Sequence, residues 1–399
     1  MRDPHDISYF AETTFRGEHR RFGIRQADRM AHMYIVGKTG TGKSTLIETL
    51  IRQDIEAGRG CALIDPHGDL AARVAAFAAA QRPEDLIHLD APDASQPWGL
   101  NPLARVPRPY RALAASGLIE VFKKMWSDAW GVRMEHILRN TIHALLETKD
   151  ATFPDILRML TNGLYRRDVV RRLENEQVRA YWTTEFRNYS FRYRAEAIAP
   201  IQNKVGAFLA DPLLRRIVTD APERLRLRKV MDAGRVLIAN LAKGQLGEDS
   251  SGLLGGLLVT LIGLAAFSRA GSEAASRRPF FVYVDEFQSF TTLALATMLS
   301  ELRKYGVGLT IAHQYLHQLD PDIRHAVLGN AGTVIAFRVG AEDAAYFARE
   351  LGPRFGVDDL LGLPNHHIYL RLMIGGEPSR PFSARSLEPT STALKSPRS

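Results

Sequence analysis

A run of eight residues, Gly37, Lys38, Thr39, Gly40, Thr41, Gly42, Lys43 and Ser44, reproduces the phosphate-binding loop pattern: a Gly, any four residues, then Gly-Lys followed by Ser or Thr. The residue types suit the task. Glycines let successive backbone N–H groups turn inward as an anion nest, and a helix starting directly after the loop adds its positive end. Lys43 is placed to reach the β and γ phosphates of a nucleoside triphosphate, and the Ser44 hydroxyl to ligate Mg²⁺. Together with Thr45, these residues form the expected nucleotide-binding set. The predicted cofactors are ATP and Mg²⁺.

A second cluster lies far along the chain. Phe280-Phe281-Val282-Tyr283-Val284 is an apolar run that delivers two adjacent carboxylates, Asp285 and Glu286. This has the form of a Walker B strand, in which Asp285 holds Mg²⁺ through water and Glu286 orients and polarises the water attacking the γ phosphate. An Asp-Glu pair after a strand says little by itself; downstream of a phosphate loop it says much. Val307 to Ala312 is another apolar run, ending in His313-Gln314, and in P-loop motors a Gln at this place touches the γ phosphate. Between the two runs, Arg303 stands near the end of a helical pattern, where it is expected to be exposed. Only an assembled neighbour makes such an Arg catalytic.

These residues require elements to carry them. Met33 to Val36 is a short apolar strand leading into the loop, and the helix after it shows Leu46, Ile47, Leu50, Ile51 and Ile55 on one face. Cys61 to Ile64 reads as a second strand, continuously apolar as covered parallel strands are. It ends in Asp65-Pro66-His67-Gly68-Asp69. Asp65 there suits either a role at the metal or water or a plain turn. Phe22 to Arg25 is a further short strand, and others are expected at 235–241, 280–284, 307–312, 333–339 and 367–374. The last of these alternates polar and apolar residues, which predicts an edge strand with one wet face. The expected fold class is α/β, a P-loop NTPase sheet interrupted by an all-helical segment. Residues 1–103 and 230–385 form the two parts of the motor domain, 104–229 the helical insertion, and 386–399 a disordered tail.

Helical periodicity marks the insertion at 112–126, 133–146 and 196–209. The net charge of the chain is +8, and the basic excess falls within residues 105–229, which hold 24 Lys and Arg against 14 Asp and Glu. Such asymmetry suits a polyanion partner or a charge-rich helical surface. Within it, Arg187-Asn188-Tyr189-Ser190-Phe191-Arg192-Tyr193-Arg194 interleaves rings with guanidinium groups, near Tyr181-Trp182. Single-stranded nucleic acid can be held that way, and so can a helical core with Arg on its outside.

The single Cys, Cys61, excludes an internal disulfide and suits a reduced, cytoplasmic protein. Met1 to His5 leads into polar sequence with no apolar signal core. Leu253 to Phe267, the longest apolar run, is shorter than the roughly 20 residues of a membrane span and is read as a buried helix rich in Gly. Gly252, Gly255 and Gly256 within it suggest a close helix contact.

In order, the phosphate loop, Asp65-Pro-His-Gly-Asp, the helical insertion, Val284-Asp-Glu-Phe-Gln, Arg303, Gln314 and Phe337-Arg338-Val339-Gly340 resemble the HerA and FtsK superfamily of DNA-pumping ATPases, and most of all the conjugative coupling ATPases of type IV secretion systems. The resemblance runs from about Phe22 to Arg385. It implies a RecA-like motor domain with an all-helical domain, and a homo-oligomeric ring, usually a hexamer, that hydrolyses ATP between subunits and threads single- or double-stranded DNA through its centre. By position it assigns Lys43, Glu286, Gln314 and Arg303 to catalysis, Arg303 as an arginine finger offered to the neighbour's ATP, with Ser44 and Asp285 at the metal. Arg338 is a second candidate for a charge shared across subunits. Relaxase or secretion-channel proteins are implied partners. Membrane-anchored members begin with transmembrane helices, and none is read here, so the expectations are that a separate subunit supplies any anchor, that the chain works in the cytosol, or that it is a fragment. The alternatives within reach of the same motifs are an ATP-gated docking platform, a DNA-end-processing helicase and a motor for protein substrates.

Overall fold

The computed structural model describes residues 6–14, 19–104 and 106–389. The strands in the first third are β1 (Ile7–Thr13), β2 (Arg21–Arg25), β3 (Met33–Val36), β4 (Gly60–Asp65), β5 (Leu86–Asp90) and β6 (Trp98–Gly99). After the helical region come β7 (Glu223–Arg224), β8 (Val236–Asn240), β9 (Phe280–Val284), β10 (Val307–His313) and β11 (Thr333–Ala336), then β12 (His367–Arg371), β13 (Met373–Ile374), β14 (Glu377–Pro378) and β15 (Phe382–Ser386).

Seven strands lie parallel in the order β11-β3-β10-β9-β4-β8-β5. Beyond β11 the same sheet continues antiparallel through β12, β15, β1 and β2. Its central strands are buried from end to end, as the unbroken apolar runs require. The helices Lys43–Glu56 and Asp69–Gln81 cover one face, where Leu46, Leu50, Leu70 and Val74 meet Ile35 and Leu63. On the other face, Glu248–Phe267, Leu293–Leu302 and Ala341–Glu350 join a core that runs on into the helical segment without a break. That segment includes Arg111–Met125, Val132–Glu147 and Phe191–Ala210 and is closed at its base by β6 pairing with β7.

Two expectations are corrected. Strand 367–374 is not an edge strand: β12 sits between β11 and β15, and the edges are β2 and β5. Its alternation is real, but antiparallel strands inside a sheet can also leave one face half-covered, so period two reported a face and not an edge. The tail does not begin at Ser386, which is the last residue of β15 and donates its N–H to His366 O at 2.8 Å; of the rest, 390–399 lie outside the described residues. Strands β1, β5 and β15 were not legible as runs.

The helix Glu248–Phe267 lies in the 24-residue stretch Glu248–Gly271, whose most apolar 18-residue window has mean hydropathy 1.9 and is 83% buried within the molecule. Its glycines answer a contact. A Cβ on Gly255 would lie 2.1 Å from the Phe290 ring, so only a bare backbone lets this helix press against the turn that follows β9.

Candidate nucleotide site at the carboxyl ends of the parallel strands

The phosphate loop bridges β3 and the first helix beneath it. Gly37 N–H donates to His313 O at 3.3 Å and Lys38 N–H to Arg338 O at 2.8 Å, so the loop is tied to the ends of β10 and β11. Gly40 and Gly42 take φ of 76° and 118°, where a side chain is disfavoured. At Gly42 there is no room either: a Cβ would stand 2.9 Å from His366 Nδ1. No side chain caps the helix Lys43–Glu56, which leaves its first N–H groups to an anion.

Lys43 is buried, and its Nζ donates to Gly37 O at 2.6 Å and Lys38 O at 3.1 Å. Desolvation draws its pKa below the ordinary lysine value against the pull of Asp285 and Glu286. Ser44 Oγ donates to Asp285 Oδ2 at 2.9 Å. Asp285, 4% exposed, has its pKa pushed up, first by burial and then by the Asp65 charge, with the Ser44 bond opposing. Glu286 occupies the left-handed region at φ 47°, a strained conformation for a residue with a side chain, and its N–H donates to Asp285 Oδ1 at 3.0 Å.

Both Glu286 oxygens are held. Gln314 Nε2 donates to Oε1 at 2.5 Å, and Gln288 Nε2 donates to Oε2. Thr39 Oγ1 in turn donates to Gln314 Oε1 at 3.0 Å. His67 Nε2 stands 3.8 Å from Glu286 Oε1. The fold thus gathers Thr39, Lys43, Ser44, Asp285, Glu286 and Gln314, as sheet order dictates, because β10 lies between β3 and β9.

Other residues go elsewhere. Asp65 accepts from His67 N–H and Ala71 N–H, both at 2.9 Å, in the turn and the first turn of the next helix, and its charge acts on the neighbouring Asp285. Arg303 is exposed at the opposite end of β10, whose seven residues span about 20 Å at the ordinary rise of a strand. Among the described residues its guanidinium has no ion-pair or hydrogen-bond partner. Arg338 is held inside its own chain by Leu363 O at 3.2 Å and Asn365 Oδ1 at 2.9 Å. Sequence reasoning gave no role to Gln288, although it closes the Val284-Asp-Glu-Phe-Gln run, and missed His366. Gln288 sits two residues past Glu286, but nothing in its spacing shows which way it turns, and His366 reaches the loop only because β12 folds back across β11.

The donor set fits Mg²⁺ with a phosphate ligand. Among the described residues no three His, Cys, Asp or Glu side chains could cage a metal unaided, and Mg²⁺ characteristically keeps waters and substrate phosphates as most of its ligands. A hydroxyl facing a buried carboxylate, Ser44 against Asp285, is what such a shared shell needs.

Two family models match the chain. The type IV secretion-system coupling protein DNA-binding domain covers residues 21–202, and the TraM recognition site of TraD and TraG covers 279–356. The chain belongs to the type IV secretion coupling-protein family. Among solved structures it is similar to the bacterial conjugative coupling protein TrwB lacking its first 70 residues, unbound, at 16% identity and TM-score 0.66 over 97% of this chain and 90% of that one. TrwB in complex with ADP and Mg²⁺ matches at 17% identity and TM-score 0.64 over 97% and 91%. VirB4 of Thermoanaerobacter pseudethanolicus matches at 14% identity and TM-score 0.58 over 97% of both chains. At these identities the structures speak for the fold, and the family models for membership. No curated protein sequence matches this chain.

Proposed function

We propose that this chain is a Mg-ATP-dependent motor that moves DNA through an oligomeric ring, a hexamer in the form the family resemblance implies, during conjugative or mobile-element transfer, working on the cytoplasmic side. The observation that carries the reading is the meeting of Lys43, Ser44, Asp285, Glu286 and Gln314 at one end of three neighbouring parallel strands while Arg303 stands free at the other end. An Arg about 20 Å from its own phosphate loop cannot serve that loop, which supports its use at a neighbour's site. That geometry favours a closed ring built by head-to-tail contacts.

Bound nucleotide supplies the phosphoanhydride to be cleaved and, through Mg²⁺, charge neutralisation at the phosphates. The chain's residues do the rest. Lys43 leaves Gly37 O and Lys38 O for the phosphates, and Ser44 and Asp285 hold the metal's protein side. Glu286, through a lone pair its two amide partners leave open, accepts a proton from the attacking water. Gln314 trades Glu286 for the γ phosphate and so senses its presence. The helical segment offers the DNA surface: Phe191 is 88% exposed beside Arg187 and Arg192. Phosphate contacts of this kind give affinity without sequence preference.

ATP turnover should rise cooperatively with protein concentration and be stimulated by DNA. Arg303→Ala and Lys43→Ala should each be nearly inactive alone, yet regain activity when mixed, because a Lys43→Ala subunit can lend Arg303 to an intact loop. Turnover linear in protein, indifferent to DNA and unaffected by Arg303→Ala would leave an ATP-gated docking platform as the better reading.

A further inference from the structure

The helical segment reaches the catalytic turn with a hydrogen-bonding side chain. Lys124, in the last turn of the helix Arg111–Met125, extends its Nζ to the turn after β9, where it donates to Gln288 O and, at 2.9 Å, to Thr291 O. Lys124 is exposed as a residue, yet its ammonium is spent on two backbone carbonyls, and among the described residues no carboxylate pairs with it. Gln288 then donates to Glu286 Oε2, opposite the Gln314 bond to Oε1. The other end of the Gln288 amide, Oε1, is buried without a hydrogen-bond partner. An orphan acceptor beside the proposed base is costly to bury and marks a side chain held in place from elsewhere.

The packing around this turn leaves it little freedom. Gly255 admits the Phe290 ring, and Gly252 admits Met125, the residue after Lys124; a Cβ at Gly252 would fall 2.7 Å from Met125 Cε. The helix Arg111–Met125 and the turn 286–291 are therefore both seated on the helix Glu248–Phe267, and Lys124 is a polar tie between them. Each Glu286 oxygen accepts one bond and keeps a lone pair, so the two amides fix how the carboxylate faces the water whose proton it takes.

We infer that Lys124 is a positioning residue that sets Gln288 against Glu286 and thereby couples the helical segment to hydrolysis. The inference rests on the motor reading above. A shift of the helical segment on DNA moves the Lys124 ammonium, which moves the Gln288 carbonyl and releases or clamps Glu286 Oε2.

The test is a double-mutant cycle on the full chain in steady-state ATP turnover, with Lys124→Met, Gln288→Ala and the pair, first without DNA and then with a mixed-sequence oligonucleotide or a linear duplex. Without DNA, each single variant should lose at least fivefold in kcat with KM for ATP within twofold, and the pair should lose no more than the worse single. With DNA, Lys124→Met should lose most of the parent's stimulation, and Lys124→Arg, which keeps the charge and the donors, should retain at least half of it. Losses that multiply in the pair, an unchanged kcat in Lys124→Met, or equal loss in Met and Arg variants would overturn the inference. Should Lys124→Met fail to fold, Lys124→Gln takes its place under the same criteria. A parent that turns over ATP but ignores DNA would overturn the motor reading, while the DNA-free cycle still decides the role of Lys124.

Discussion

The nucleotide end of the sheet and the helical segment place their polar side chains by different means. At the sheet, the side chains fix one another: Ser44 bonds Asp285, Gln314 bonds Glu286 and Thr39 bonds Gln314, each at 3.0 Å or less. In the helical segment the same kind of pattern divides. Tyr181, Trp182 and Phe186 are buried against one another, with the Arg166 and Arg194 guanidinium groups about 5 Å from the Phe186 ring, whereas Phe191 and Arg192 face outward. Chemistry demands sub-ångström placement, and mutual bonding supplies it. A DNA surface needs only rings and charges on one side, and packing supplies that.

The comparison can be broken most sharply at the sheet. Lys43→Ala should remove nucleotide binding, while Glu286→Gln should keep it and lose about 10²- to 10⁴-fold in kcat, the ordinary range for a general base. Equilibrium binding of a fluorescent ATP analogue beside turnover separates the two, and a Glu286→Gln variant that also fails to bind would mean the carboxylate supports the loop and not the chemistry.

A smaller effect is expected in the helical segment. Phe191→Ala should weaken single-stranded DNA by about 1–3 kcal/mol if a base stacks on the ring. Arg192→Ala should flatten the slope of log affinity against log salt by about 0.7 for a lost phosphate contact. Anisotropy titrations over a salt series measure both. Unchanged affinity in both variants would move the DNA surface elsewhere.

A further effect concerns stability and not function. His313 is fully buried under Gln314, with Tyr34 Oη 2.9 Å from Nδ1, and burial, then the Lys43 charge, pushes its pKa down to about 3. The folded ring stays neutral, while the unfolded chain takes up a proton below the ordinary value of 6.5. Stability should therefore be flat above that pH and fall steadily as pH drops from about 6.5 toward about 3. Denaturant midpoints across this range should show a shallower fall in His313→Gln; an unaltered slope would assign the acid sensitivity to other groups, His32 among them, whose buried ring shifts in the same direction.

The catalytic strands were legible because covered parallel strands must be apolar throughout, and because a loop for phosphate must be Gly-rich in a fixed spacing. β1, β5 and β15 were not, since short strands near the margin of a sheet carry half-buried patterns that many loops share. The alternation of β12 was read correctly as one wet face and wrongly as an edge, because period two records what covers a face and says nothing about which strands lie on either side.

By itself, then, the sequence determined the phosphate loop, the carboxylate pair, the strand that leads to Gln314 and the place of the helical segment, all local patterns whose residue types are dictated by the group they bind or the face they bury. Only the tertiary structure decided that Asp65 accepts from the first turn of the next helix, that Gln288 and Gln314 grip Glu286 from two sides, and that Lys124 reaches the turn after β9. These are contacts between segments distant in sequence or choices among rotamers. Their partners are fixed by which helix packs on which, and no spacing along a chain encodes that.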